Sequence, residues 1–468
     1  VKPILITTLA LAASLAACTS LAPDYQRPAG AMPAQLPTAP ADGAAATPAS
    51  PMAWTDFVQD ERLRQLVRRA LDHNRDLRVA ALNVQRAEAQ LGVTRADRWP
   101  TVGAGLSATR APSTSTGVQT NTFQAGLQVS AWELDFFGRL ASLNDAAQAQ
   151  LLASEAGRRS AELALVAGVL SADRTLASDL AQLALAERTR ATRADSLKLS
   201  RLRFEHGAAS QLEQQSAESL AAQADAAAAQ ASRQVAQDRN ALALLLGEAV
   251  PAELLPAPMS VPVAVADPAA PLAQDELAAV PVGLDSSVLL RRPDVQQAEQ
   301  LLLAANANIG AARAAFFPRI TLTASAGLVS TQLSNLLQAG SFAWTLAPQA
   351  LLTVFDYGRN RNNLEASKLS RDIAVAQYEK SVQSAFRDTA DALAGLATWR
   401  DQLAAQQRQL DAVRQIQQLT ELRYTNGAAS ELERLDAQRS LFAAEQGLIQ
   451  IRLAEQQNRI ALFKSLGG

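Results

Sequence analysis

The chain has 468 residues, 48% of them apolar, with 43 Lys and Arg against 45 Asp and Glu for a formal net charge of -2. At roughly 150 residues per domain this allows two or three domains, and the balanced charge argues against a nucleic-acid partner. Two His and one Cys leave no cluster for a metal centre or a disulfide framework. No acid, base and nucleophile constellation marks an enzyme, and no cofactor is expected.

The first 17 residues read as a secretory signal. Lys2 is followed by an apolar stretch, Ile4 to Ala17, with small residues before Cys18. As a helix this stretch reaches about 21 Å, short of the roughly 30 Å hydrocarbon core. The string Leu15-Ala16-Ala17-Cys18 resembles the bacterial lipobox. That resemblance implies cleavage before Cys18 and its acylation. Thr19 in place of Asp implies sorting to the outer membrane. Residues 18–56, rich in Ala and Pro, read as an extended lipidated leader.

Sixteen of the 20 prolines lie in two segments, Pro3 to Pro51 and Pro251 to Pro293. The stretches between Pro112 and Pro251 and after Pro348 contain none, which permits very long helices. Landmarks recur at an offset of 220: Gly138-Arg139 with Gly358-Arg359, and Arg203 to Ser210 with Arg423 to Ser430. Trp99-Pro100 matches Phe317-Pro318 at 218. These matches predict an internal duplication, residues 57–247 and 286–468, joined by a Pro-rich linker at 248–285. Each half reads as a helix (about 57–98 and 294–316), two strands, and a long helical run broken once, at Gly207 or Gly427.

The strands alternate with a period of two. Val102, Ala104, Leu106 and Ala108 are interleaved with Thr101, Gly103, Gly105 and Ser107, and Phe123, Ala125, Leu127 and Val129 with Gln124, Gly126 and Gln128. Ile320 to Leu328 and about Phe342 to Phe355 supply two more runs. An apolar face opposite a small polar face over about ten residues suits a transmembrane β-barrel, although edge strands of a soluble sandwich alternate in the same way. Trp99, Trp132, Phe317 and Trp344 near the strand ends suit either interfacial girdles or ordinary packing. Four strands cannot close a barrel, and an open edge is not tolerated in lipid. Strands that span a membrane must therefore be shared among copies, and three copies make twelve. The helical runs, Phe137 to His206 and Tyr357 to Tyr424, would each extend roughly 100 Å. An apolar stripe of Leu432, Leu435, Leu441 and Leu448 suits a coiled-coil-like seam.

Several strings carry a family resemblance: Ala131-Trp132-Glu133-Leu134-Asp135-Phe136-Phe137-Gly138-Arg139, Leu290-Arg291-Arg292-Pro293-Asp294-Val295, Ala314-Ala315-Phe316-Phe317-Pro318-Arg319-Ile320, and Leu435-Asp436-Ala437-Gln438-Arg439-Ser440-Leu441. Together they resemble the TolC superfamily of outer-membrane factors, in its OprM/NodT-type lipoprotein branch. The resemblance implies a mainly α fold with transmembrane β structure: a homotrimeric twelve-stranded β-barrel, four strands per chain, continued by a long α-helical barrel through the periplasm. It implies a passive exit duct of a tripartite multidrug or small-molecule efflux system. The partners would be a periplasmic adaptor (membrane fusion) protein, an inner-membrane pump of the resistance–nodulation–division type, and outer-membrane lipid. A duct for type I protein secretion shares the same architecture. By the same resemblance, Asp436 and Glu433 ring the periplasmic gate. The tips Arg203, Gly207 and Ala208 with Arg423, Gly427 and Ala428 meet the adaptor, the alternative for both tips being plain interhelical turns. The first half carries Glu213 and Ser216 at the offsets of Glu433 and Asp436.

Overall fold

A computed structural model describes residues 21–28, 33, 36, 52–112, 117–259, 277–280 and 286–468. The lipidation site expected at Cys18 lies outside the described residues, as do residues 260–276 and 281–285 of the linker. The chain is mainly helical, with one four-stranded antiparallel sheet. The elements are α1 (Glu61–His73), α2 (Arg75–Ala96), β1 (Val102–Pro112), β2 (Gln119–Leu134), α3 (Arg139–Glu205), α4 (Gln211–Leu246), α5 (Pro293–Ala314), β3 (Arg319–Ser330), β4 (Phe342–Leu351), α6 (Arg359–Thr425) and α7 (Glu431–Ser465). The order α2-β1-β2-α3-α4 recurs as α5-β3-β4-α6-α7. No helix among the described residues is long and apolar enough to cross a membrane.

The chain divides into two compact units. The first holds residues 21–28, 81–112, 117–157 and 296–381 among those described. Its strands lie in the order β1-β2-β3-β4, each antiparallel to its neighbour. The expected strands form, with two differences in extent. β2 runs 16 residues and carries a bulge between Val129 and Trp132, and β4 stops at Leu351. Ala131 takes up the bulge with φ 48, and its N–H finds the Thr323 hydroxyl at 3.3 Å. Leader residues 21–28 are pinned to α5. Arg27 donates to Glu299 at 2.8 Å, Asn306 to the Pro23 carbonyl at 2.7 Å, and Arg313 to the Leu21 carbonyl at 2.9 Å.

The second unit holds residues 52–80, 158–259, 277–280, 286–295 and 382–468 among those described. Its core packs Phe57, Leu63, Leu66, Leu170, Leu242 and Leu246 with Phe463, whose ring stacks on Phe57 at 4.3 Å. Asp173, fully buried, accepts two bonds from Arg62, at 2.6 and 3.1 Å. Two expectations are corrected here. The first helix breaks at Asn74, which turns extended (ψ 131) and donates to the Leu245 carbonyl at 2.9 Å. Leu432 leaves the apolar stripe: it is 64% exposed, while Leu435 and Leu448 are buried. Elsewhere the helices pack through small residues, with Ala217 and Ala221 against Leu197 and Ala444 against Leu410.

Candidate functional site

Two features of the molecule bear on function, one in each unit. In the first unit the sheet is open. Among the described residues β1 and β4 each pair with one neighbour, so both edges present backbone groups without a strand partner there. Neither face is covered among the described residues: no residue of β1 or β4 is buried, Leu106 is 81% exposed at one edge, and Phe342, Trp344 and Leu346 are exposed at the other. A soluble sandwich buries one face of each sheet, and this sheet buries neither. An apolar surface of this extent marks a protein or membrane contact.

Where the strands lead into helices, the strings that carried the family resemblance acquire physical roles. Asp135 accepts from the Ala141 N–H at 2.7 Å, and Asp356 from the Gly358 and Asn360 N–H groups, each at 2.9 Å. Both carboxylates thus cap and charge-complement the starts of long helices. Gly138 and Gly358 supply the positive φ, 69 and 82, that these entries require. Phe137 stacks on Phe317 at 4.8 Å, and Trp132 donates to the Arg98 carbonyl at 3.2 Å. These two aromatics therefore have packing partners in the chain, while Trp99 and Trp344 are exposed. Glu133 joins Arg139 at 2.7 Å and Arg319 at 2.6 Å.

In the second unit the two expected tips have one geometry. Gly207 and Gly427 turn with φ 73 and 71, with open space where a Cβ would stand. The Ala208 N–H returns to the Arg203 carbonyl and the Ala428 N–H to the Arg423 carbonyl, each at 2.7 Å. Ser210 and Ser430 then open α4 and α7 through complete capping boxes with Glu213 and Glu433. Glu433 is therefore held by the Ser430 N–H at 3.0 Å. Asp436 is exposed one turn on, paired with Arg439 at 2.9 Å.

Sequence reasoning missed the contacts between the tips. Arg203 donates to the Tyr424 hydroxyl and sits over its ring, and Arg434 lies 4.6 Å from the same ring centroid. Arg434 also pairs with Glu431 at 2.7 Å. Burial, followed by Glu431, pushes the Tyr424 phenol up. The available signal was departure from the repeat: Glu431, Arg434 and Asp436 stand where the first half has Gln211, Gln214 and Ser216. In the Arg292-Pro293-Asp294 string, Arg292 is buried, donating to Asp294 at 2.7 Å and to the Ser465 carbonyl at 3.0 Å. Among the described residues no group of three or more His, Cys, Asp or Glu is placed to hold a metal ion.

Comparison with known proteins decides the family. The model of the outer membrane efflux protein family matches twice, over residues 66–248 and 284–468. The chain belongs to the outer membrane efflux protein family. It is 43% identical over 472 residues to the toluene efflux pump outer membrane protein TtgC of Pseudomonas putida, covering 99% of this chain and 95% of that protein. A membrane protein of Pseudomonas aeruginosa has a similar structure, with TM-score 0.85 and 39% identity over 96% of this chain and 98% of that one. The open state of the MtrE outer membrane channel of Neisseria gonorrhoeae gives TM-score 0.83 at 35% identity, over 96% and 98%. This outer membrane efflux protein accordingly works as an outer-membrane component of an efflux system.

Proposed function

We propose that three copies of the chain pool their sheets into one twelve-stranded barrel, continued by a helical tunnel, as the exit duct of a tripartite efflux system. The observation that carries the reading is the open sheet, unpaired at β1 and β4 and bare on both faces. In hydrocarbon each unsatisfied backbone group costs several kcal/mol, so the edges must meet other edges. The strand count is even and every pairing antiparallel. β4 of one copy therefore meets β1 of the next in the antiparallel sense, and a ring closes without a parallel seam. Two copies would make eight strands, whose interior side chains fill. Twelve strands give a backbone diameter of roughly 24 Å, wide enough for a bore.

The chain supplies a wall, a lumen and a gate; the energy comes from an inner-membrane pump of the resistance–nodulation–division type. The turns at Gly207 and Gly427, with Arg203, Ala208, Arg423 and Ala428, meet the periplasmic adaptor. Asp436, tripled by symmetry, rings the constriction, and Glu433 adds charge beside it. Acylation at Cys18 holds the leader to the outer membrane. The exported class is small organic molecules, in keeping with the 43% identity to a toluene efflux protein and with a chain of one Cys, two His and three Met that offers few soft metal ligands.

The test is the mass and conductance of the detergent-extracted full chain. Particles of three chains that form ion-conducting pores in planar bilayers are expected. A water-soluble monomer without pores would overturn the reading. Globomycin sensitivity of processing tests Cys18 separately.

A further inference from the structure

One row of the sheet is nearly without side chains. Gly105 pairs with Gly126, Gly126 with Gly327, and Gly327 with Ala343. The two central glycines do not have positive φ, so backbone conformation does not demand them. Space does. A Cβ at Gly126 would lie 2.5 Å from the Ala326 carbonyl oxygen and 2.7 Å from Gly327 Cα. A Cβ at Gly327 would lie 2.6 Å from Gly126 Cα and would also strike the Ala125 carbonyl. At Gly105 it would meet only the Gln128 side chain, at 3.4 Å.

In an even sheet a Cβ stands off the surface, clear of the neighbouring backbone. It collides only where two strands fold toward each other on its own side. The β2–β3 junction is therefore creased, and the concave side is the one that carries Gly126. The neighbouring row on that side is Gly103, Gln128, Ser325 and Thr345. The opposite side carries Leu106, Leu127, Leu328, Trp344 and Leu346. A barrel's lumen is its concave side. The crease thus assigns the polar side to the lumen on backbone geometry, independently of hydropathy.

We propose that the Gly126–Gly327 pair is the fold line that curves this sheet, and that the row Gly105, Gly126, Gly327 and Ala343 lines the exit bore as a stripe with nothing larger than a methyl group. This rests on the barrel reading above. Strands of a closed barrel are tilted, so the row climbs obliquely, and three copies repeat it as three stripes. Along each stripe the bore is bounded by backbone, and the row beside it holds no ionisable group. This stretch of the barrel therefore passes neutral, cationic and anionic solutes alike on its width; charge enters the same side only where β2 and β3 end, with Glu133 and Arg319.

The experiment uses the full chain as trimers in liposomes. Cysteines are placed singly at Gly105, Ser325, Leu106 and Ala326, treated with a membrane-impermeant maleimide, and the label located by peptide mass so that Cys18 is distinguished. Labelling at least tenfold faster at Gly105→Cys and Ser325→Cys than at Leu106→Cys and Ala326→Cys is expected. Equal rates, or the reverse order, would overturn the assignment. In parallel, Gly126→Ala and Gly327→Ala are expected to lose most SDS-resistant trimer while Gly105→Ala keeps it. Equal yields from all three would overturn the crease. A wild type that forms neither trimer nor pore sinks the barrel reading and this inference with it; wild-type pores with uniform labelling sink the inference alone.

Discussion

Arg203, in the last turn of α3, donates to the phenol oxygen of Tyr424, in the last turn of α6. One hairpin is thereby tied to the other beside the glycine turns. Tyr424→Phe keeps the ring under Arg434 and removes the hydroxyl. A local loss of about 1 kcal/mol is expected. It should be read as faster hydrogen exchange at residues 422–430, with the bodies of the helices unchanged.

The two roles of Glu433 can be separated. Ser430→Ala breaks the capping box and should cost about 1 kcal/mol at the start of α7, as Ser210→Ala should for α4. Glu433→Gln keeps a capping partner at the same position but removes a charge. Exchange protection of residues 431–434 should fall in Ser430→Ala and hold in Glu433→Gln, and that of residues 211–214 should fall in Ser210→Ala. Any change in ion conduction by Glu433→Gln would then belong to the gate.

Asp436 and Arg439 form an exposed pair, with side chains 53% and 65% accessible, so the pair itself adds little stability. Asp436→Ala should raise single-channel conductance and weaken block by multivalent cations. Arg439→Ala should do the opposite, deepening cation block by leaving three carboxylates unbalanced. Unchanged recordings from both variants would remove this position from the gate.

Asp179 on α3 is a pH-dependent element of the helical unit. Burial, then the hydrogen bond and charge of Asp238, pushes its carboxyl up from 3.8 to about 7. Between these values the folded chain holds a proton that the unfolded chain has released. The stability contributed by this group therefore falls as pH rises from about 4 to about 7, and is flat outside that window. Asp179→Asn should flatten the decline in melting temperature between about pH 4 and about pH 7, measured by circular dichroism.

Arg62→Ala should be the most damaging of these changes. It leaves fully buried Asp173 with Arg174 as its remaining charged partner, a cost of about 3 kcal/mol. A lower apparent Tm with unaltered helix content at 20 °C is the expected result.

Long-range order was readable wherever local physics sets it. The empty intervals between prolines permitted α3 and α6, and the landmarks Gly138, Gly207, Gly358 and Gly427 delimited them to within two residues, because a chain of good helix formers continues until something stops it. Alternation located all four strands, because their two faces meet different surroundings. The break at Asn74 was not readable, since its reason, the Leu245 carbonyl, lies 171 residues away. Tyr424 and Arg434 escaped notice for the same reason. The capping boxes were different: Ser210 with Glu213 and Ser430 with Glu433 were visible as spacings, and only the emphasis on charge hid them. Asp135 lies in one of the strings that carry the family resemblance and Asp356 just before Gly358-Arg359, but their task as helix caps needed coordinates.

The doubled plan has a historical reading. An ancestor of half this length, bearing one β-hairpin and one helical hairpin, would need six subunits to build the same wall, and every residue would repeat six times around the axis. Fusion of two such genes would lower that multiplicity to three and free each half to drift alone. Asp436 stands where the other half has the neutral Ser216; under the proposed gate, that difference leaves an aperture ringed by three acids instead of six, whose shape one half could alter while the other preserves the joint.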